Sequence, residues 1–449
     1  MVLLSNVRVR YFLILIIFLG YFPGVLGQNR AEKKSLPNDF FYLRDASGQL
    51  VDTLDLGYYH ALGIPKAWQY TTGNSTVLVG LSDARVDPNQ LDFAGKTKVL
   101  KSVDLQNGHG MGVAAIAVAH GDNDFGIPGV CYDCGLVTTN YGNPNMEMLL
   151  ELADAGAKVI NCSWVTSIAT KRGQEVIDSL LKRGVVVVAG AGNKNWTTTE
   201  GQKKYYPASY DGVISVSSVM YQYKNWEEAL KYEETGKPFV ENMWGMVGRT
   251  AAITHKKTGP EFRIYPQSTA TLNTEVDLLA PTVGVMRYSK WATEGTLSYN
   301  TYQGTSTAAP FVTGTIGLMF SLRPELRANE VETILRLTAL NIDHIQANAP
   351  YKGHYGAGML QSGEALTLVD SLYNPEGVAV IKHQKIDRWS QRLTAFNRAV
   401  VLRDIEFTGQ AAFELRAKNQ ILLQPGTRLA PENDKGVKLR IDSDISLQP

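Results

Sequence analysis

Gln303-Gly304-Thr305-Ser306-Thr307-Ala308-Ala309-Pro310 runs directly into the apolar stretch Phe311-Val312-Thr313-Gly314-Thr315-Ile316-Gly317-Leu318-Met319. The pattern predicts a buried helix whose glycines allow close packing against a sheet, with Ser306 at its N-terminus. First-turn N–H groups have no intrahelical acceptor and the helix dipole is positive there, so negative charge developing beside Ser306 in acyl transfer would be favoured. Pro310 is expected near the helix start, where a missing N–H costs little. Read alone, the run fits a capped, tightly packed structural helix equally well.

Two upstream stretches separate these readings. Asn107-Gly108-His109-Gly110-Met111-Gly112 opens an Ala-rich apolar helix, and Val77-Leu78-Val79-Gly80-Leu81 reads as a buried strand leading into Ser82-Asp83-Ala84-Arg85-Val86-Asp87. Asp83 then lies at the carboxyl end of a strand, where open α/β sheets build their sites. Asp83, His109 and Ser306 supply a carboxylate, an imidazole and a hydroxyl in the chain order of the subtilisin triad, not of the chymotrypsin or α/β-hydrolase one. Further on, Gly184-Val185-Val186-Val187-Val188-Ala189 reads as a β-branched strand ending in Gly190-Ala191-Gly192-Asn193, where the plain reading of Asn193 is a turn residue. Strands continue to alternate with helical stretches around 146–153 and 176–182, which implies a mostly parallel sheet covered on both faces.

With these motifs, Tyr206-Pro207-Ala208 before Val213-Ile214-Ser215-Val216, and Asp277-Leu278-Leu279-Ala280-Pro281 ahead of the serine, the region from about Ala67 to Leu372 resembles the subtilisin-like serine peptidases (subtilases, peptidase family S8). The resemblance implies a doubly wound α/β fold and an endopeptidase acting on polypeptides through an acyl-enzyme. Asp83, His109 and Ser306 would be its triad and the Asn193 side chain a donor to the oxyanion. It further implies that Ser163-Trp164-Val165 and Gly190-Ala191-Gly192 wall the pocket for the residue preceding the scissile bond. Val165 stands where the family has glycine, and either narrows that pocket or packs beneath a neighbouring loop. The family's Asp-Ser/Thr-Gly and His-Gly-Thr-His become Asp83-Ala84-Arg85 and His109-Gly110-Met111-Gly112, which removes no reacting atom. A catalytically inactive peptide-binding module using the same cleft is the alternative. No cofactor is required for this chemistry; structural calcium and oligomeric state stay open.

The 449 residues leave room for one large α/β domain with appendages, and a net charge of +1 gives no electrostatic argument for nucleic acid. Arg8 and Arg10 precede the apolar run from Tyr11 to Gly20, and Val25-Leu26-Gly27 offers small residues for cleavage. Residues 1–27 therefore read as a secretory signal, leaving a secreted, periplasmic or cell-surface protein without a membrane span once it is removed. Residues 28–66 form a lead segment too short for a separate inhibitory prodomain, 67–372 the peptidase-like domain, and 373–449 a β-rich C-terminal segment. Within the domain, an insertion at about 220–270 carries Trp226, Tyr232, Phe239, Trp244 and Phe262, and reads either as a substrate-side flap or as a surface excursion.

Cys131-Tyr132-Asp133-Cys134 has redox-motif spacing but precedes a strand, so a local disulfide is favoured over redox catalysis. No second ligand pair accompanies it, which argues against zinc. Cys162 reads as a small buried hydrophobe inside Val159-Ile160-Asn161-Cys162-Ser163. In the C-terminal segment, the line Ala417-Lys418-Asn419-Gln420-Ile421-Leu422-Leu423-Gln424-Pro425-Gly426 resembles a short β-stack found near the C-termini of exported Bacteroidetes proteins.

Overall fold

The computed structural model describes residues 35–103, 108–140, 142–254, 263–288, 299–301, 303–432, 434 and 436–447. The signal-like segment 1–27, Asn107 and Phe262 lie outside the described residues. The central sheet has seven strands: β1 Leu78–Ser82, β2 Thr97–Ser102, β3 Gly135–Asn140, β4 Ala157–Cys162, β5 Val186–Gly190, β6 Val213–Val219 and β7 Leu278–Pro281. Their spatial order is β7-β6-β5-β4-β1-β3-β2, and every pairing is parallel.

Strands buried on both faces need apolar side chains on both, and the sequence supplies them in runs. Val159 and Val188 point into the core shared with helices α1 His109–Val118 and α4 Thr305–Leu322. Their neighbours Ile160 and Val187 point into the opposite core, with α2 Glu147–Asp154 and α3 Lys171–Lys182. Period-two alternation thus divides one apolar run between two layers of helices, giving the expected doubly wound α/β architecture. The chain fills one edge with β2 and β3, then returns to β4 on the far side of β1. That reversal opens a crevice at the carboxyl ends of β1 and its neighbours.

Pro310 departs from expectation: it is the sixth residue of α4, a turn deeper than a helix start. The lead segment is also less peripheral than its name suggests. Short helices Gly57–Ala61 and Ile64–Ala67 bury Tyr58, Tyr59, Leu62 and Ile64 in the main core. Tyr58 and Tyr59 meet Phe311 of α4 edge-on, at 5.7 and 6.0 Å between ring centroids. Among the described residues no helix is long and apolar enough to cross a membrane.

The insertion folds as a four-stranded antiparallel sheet, in the order Ile264–Ser268, Thr250–Ile253, Pro238–Val240, Leu230–Tyr232. It closes over its own small core of Met220, Val240, Met243, Met246, Ala251 and Ile253. The C-terminal segment coils instead of making hairpins. Val378–Ile386 pairs in parallel with Ala399–Gly409, and Ser390–Ala395 with Ala412–Ala417, which pairs in turn with Val437–Ile441. Phe407 and Phe413 stack inside the coil at 4.7 Å. Helix α5 Ala328–Thr338 anchors it: Thr394 Oγ1 donates to the buried Glu330 at 2.6 Å, and the Arg336 guanidinium lies 4.4 Å over the Trp389 ring.

Candidate active site

Three adjacent strands end at the crevice. β1 ends in Ser82 and presents Asp83, β4 ends in Cys162 and presents Ser163-Trp164-Val165, and β5 ends in Gly190 and presents Ala191-Gly192-Asn193. His109 and Ser306 come from the N-termini of α1 and α4. These helices approach closely because a Cβ on Gly314 would stand 2.8 Å from the Ala117 carbonyl oxygen and 2.6 Å from Val130 Cβ.

His109 Nδ1 lies 2.8 Å from Asp83 Oδ1. A carboxylate can only accept, so Nδ1 carries the proton and Nε2 keeps its lone pair, the tautomer a general base needs. Asp83 Oδ1 also accepts from the Ala84 N–H at 2.7 Å, which fixes the carboxyl plane. A glycine must follow the histidine, since a Cβ on Gly110 would come within 2.0 Å of the Ala84 oxygen. Neither departure in these two motifs disturbs the pair. Arg85 points its guanidinium at Asp87, 3.9 Å away, and Gly112 lies buried inside α1, beside Met111, whose Sδ accepts from the Asp87 N–H.

Ser306 is tied to Ser163 twice. Its hydroxyl donates to the Ser163 carbonyl at 3.2 Å, and its own carbonyl accepts from the Ser163 hydroxyl at 3.3 Å. Pro310 explains the second bond: in an α-helix the Ser306 carbonyl would accept from the N–H of residue 310, which proline lacks. The Ser163 hydroxyl takes that place, and is itself oriented by Asn161 Nδ2 at 2.9 Å, whose Oδ1 accepts from Thr313 Oγ1 at 3.0 Å. The structure therefore joins Asp83 to His109 and Ser306 to Ser163. The resting Ser306 hydroxyl is turned to the carbonyl instead of the imidazole, the kind of loose contact common before substrate binds.

Asn193 is held by the residue preceding the serine. Thr305 N–H donates to Asn193 Oδ1 at 2.8 Å, and because an N–H cannot accept, the Nδ2 donors must face the other way. Thr305 Oγ1 also accepts from the Gly192 N–H at 3.2 Å. A Cβ on Gly190 would lie 2.9 Å from that same Thr305 Oγ1, so this glycine serves the approach of the serine turn to β5. Gly192 has φ +111°, a left-handed conformation that suits glycine.

On the facing wall, Trp164 Nε1 donates to Ser82 Oγ at 3.1 Å. Val165 is 46 % exposed, so it is not packed beneath a loop, and it is not among the residues with positive φ. Cys131 and Cys134 form a disulfide, against which Gly317 of α4 packs so closely that a Cβ there would stand 3.1 and 3.2 Å from the two sulfurs. Cys162 is a free, buried thiol whose pKa burial pushes up.

No group of three or more His, Cys, Asp or Glu side chains among the described residues is arranged to hold a metal ion. Two buried carboxyls, Asp39 and Asp92, are pushed up by burial to about 7 and about 8. Asp92 accepts from Asn123 Nδ2 and from the Tyr288 hydroxyl, so protein donors already serve both its oxygens.

Several working residues were not singled out from sequence. Asn161 and Thr313 carried a signal, being polar side chains inside runs otherwise apolar. Thr305 was visible only as a neighbour of Ser306, and Thr271, which accepts from the Lys194 N–H, carried no signal at all.

The sequence profile of the Subtilase family matches residues 74–358. The chain is 30 % identical over 214 residues to the thermophilic serine proteinase of Bacillus sp. (strain AK1), covering 43 % of this chain and 51 % of that one. With thermitase of Thermoactinomyces vulgaris it shares 28 % identity over 274 residues, covering 57 % of this chain and 79 % of that protein. The match thus spans about half the length of the first relative and about four fifths of the second. The crystal structure of fervidolysin from Fervidobacterium pennivorans superposes with TM-score 0.50 at 20 % identity, covering 74 % of this chain and 50 % of that one, a likeness of fold.

Proposed function

The chain belongs to the subtilase family, and from that premise we propose that it is a secreted serine endopeptidase with Asp83, His109 and Ser306 as triad and Asn193 as oxyanion donor. The observation that carries the reading is the Asp83–His109 hydrogen bond of 2.8 Å at the same crevice as Ser306, the second residue of α4. Rotation about the Ser306 Cα–Cβ bond turns the hydroxyl from the Ser163 carbonyl to His109 Nε2. Its oxygen then attacks the scissile carbonyl carbon while Nε2 takes the proton, and Asp83 balances the imidazolium.

The oxyanion of the tetrahedral intermediate accepts from Asn193 Nδ2 and the Ser306 N–H, a first-turn group that has no acceptor among the described residues. Collapse breaks the C–N bond as His109 protonates the leaving amine. Water, deprotonated by His109, then releases the acyl group and restores Ser306. No step calls for a cofactor. The C-terminal line 417–426 and the signal-like 1–27 both support export.

The test is labelling by a fluorophosphonate, mapped to Ser306, together with hydrolysis of an unstructured polypeptide. A folded chain that does neither would leave a peptide-binding module as the better reading. Asn193→Ala is expected to lower kcat by about 10²–10³ with little change in KM, because the donor acts where charge develops. Near-native turnover in that variant would remove Asn193 from the mechanism.

On this reading, the exposed Val165 borders the pocket for the residue preceding the scissile bond. Small side chains there should be preferred, and Val165→Gly should raise kcat/KM selectively for large ones. A methylene or two in an apolar pocket is worth about 1–3 kcal/mol, so the expected shift is on the order of 10–200-fold. Profiling both forms on a peptide library decides it, and an unchanged preference would free Val165 of the role.

A further inference from the structure

We infer that Arg249, supplied by the 220–270 insertion, is a positioning residue for Asn193; the inference rests on the peptidase reading above. Asn193 lies exposed at the end of β5, in a turn with no regular pairing of its own. Thr305 holds its side-chain oxygen, through the Thr305 N–H at 2.8 Å and hydroxyl at 3.4 Å, but neither bond touches the Asn193 carbonyl. Arg249 takes the other end. Its Nη2 donates to the Asn193 carbonyl at 3.4 Å and to Ser268 Oγ at 3.1 Å, while Nε donates to the Thr269 carbonyl at 2.7 Å. A planar guanidinium anchored at two points projects its remaining donors in fixed directions, which a flexible ammonium does not.

The residues that follow are tied to the same strand end. Lys194 N–H donates to Thr271 Oγ1 at 3.2 Å. Asn195 Oδ1 accepts from Thr269 N–H at 3.2 Å and Thr269 Oγ1 at 3.0 Å, and Trp196 N–H donates to Thr269 Oγ1 at 2.7 Å. Four consecutive residues, 193 to 196, are thus strapped to 268–271 and Arg249, with the one charged donor placed on the residue whose amide faces the reaction.

The insertion reaches this position by close backbone contact. After β6 and its excursion, the Gly248 N–H returns to the Ser218 carbonyl at 2.8 Å and the Arg249 N–H donates to the Ser268 carbonyl at 2.7 Å. Gly248 has φ +103°, and a Cβ on it would stand 2.6 Å from the Ser268 oxygen, so this passage suits glycine. By this route the insertion delivers a cation to the turn that carries Asn193.

Because Thr305 continues to hold the amide, losing Arg249 should cost less than losing the donor itself. Arg249→Met is expected to lower kcat about tenfold, with KM within about twofold. The experiment measures kcat and KM on a chromogenic peptide for Arg249→Met and Arg249→Lys, each in the native chain and in Asn193→Ala, with thermal melts alongside. In the Asn193→Ala background the Arg249→Met loss should shrink below about twofold, since nothing remains to position, and Arg249→Lys should recover part of the native rate. Equal losses in both backgrounds, or no loss in the native one, overturn the inference. Should the Met variant fail to fold, Arg249→Lys runs the same cycle. An active native enzyme with a silent Arg249→Met defeats this inference alone, whereas a native chain that neither labels nor cleaves defeats it together with the peptidase reading.

Discussion

Ser306→Ala is expected to lower turnover of a peptide substrate on the order of 10⁶-fold and to abolish fluorophosphonate labelling, while the fold persists. On the proposed mechanism the hydroxyl oxygen forms the acyl bond, and nothing else in the crevice would substitute for it. Its structural cost is small. The hydroxyl gives one 3.2 Å bond to the Ser163 carbonyl, and the complementary bond from the Ser163 hydroxyl to the Ser306 carbonyl survives the substitution because it uses main chain. Residual rate over water should remain through Asn193 and substrate binding. Melting curves that coincide for the two forms, with kinetics that do not, would establish a chemical role. A variant retaining even a hundredth of native turnover would assign the nucleophile elsewhere.

Asp83→Asn should lower kcat by about 10⁴-fold with KM nearly unchanged. The reason lies in how the carboxylate is shared. One oxygen accepts from both His109 Nδ1 and the Ala84 N–H, and the other is buried with no hydrogen-bond partner among the described residues. An asparagine that kept its oxygen toward the two donors would bury an unsatisfied NH2 in place of that second oxygen. Turned the other way, its NH2 would confront the Ala84 N–H and oblige His109 Nδ1 to accept, which puts the proton on Nε2 and disables the base. Either orientation also removes the charge that balances the imidazolium. Steady-state kinetics paired with imidazole 15N chemical shifts would check both parts. Native turnover would contradict this account, and the tautomer read from the shifts tells which of the two orientations the amide takes.

Much of the site was legible because its groups sit where local sequence is most constrained. Val77–Leu81, Val159–Cys162 and Val185–Ala189 announce buried strands by β-branched content alone, and the residue after such a strand in an open sheet falls in the crevice. His109 and Ser306 announce helix starts by the glycines around them. Gly110 shows why: a side chain there would collide with the Ala84 oxygen. The four motifs could therefore be ordered and matched before any contact between them was known.

Other assignments depended on partners that chain order does not pair. Pro310 reads as an ordinary helix-start proline until α4 is seen to begin at Thr305, and the hydroxyl that serves the carbonyl freed by Pro310 belongs to Ser163, 143 residues away. The aromatic and charged composition of 220–270 says that the segment is exposed, not that it folds as its own sheet and sends Arg249 to Asn193. The strands after residue 378 show alternation, but hairpins and parallel coils share that pattern, so it does not choose between them. Val378 meets Ala399 and Ser390 meets Ala412 only once the coil has turned. Local sequence determined the strands, the helix starts and the reactive groups, because those follow from burial periodicity and backbone sterics within a few residues. The hydroxyl's resting partner, the hold on Asn193 and the reach of the insertion were decided by tertiary structure, because each is a hydrogen bond between segments brought together only by packing the whole sheet.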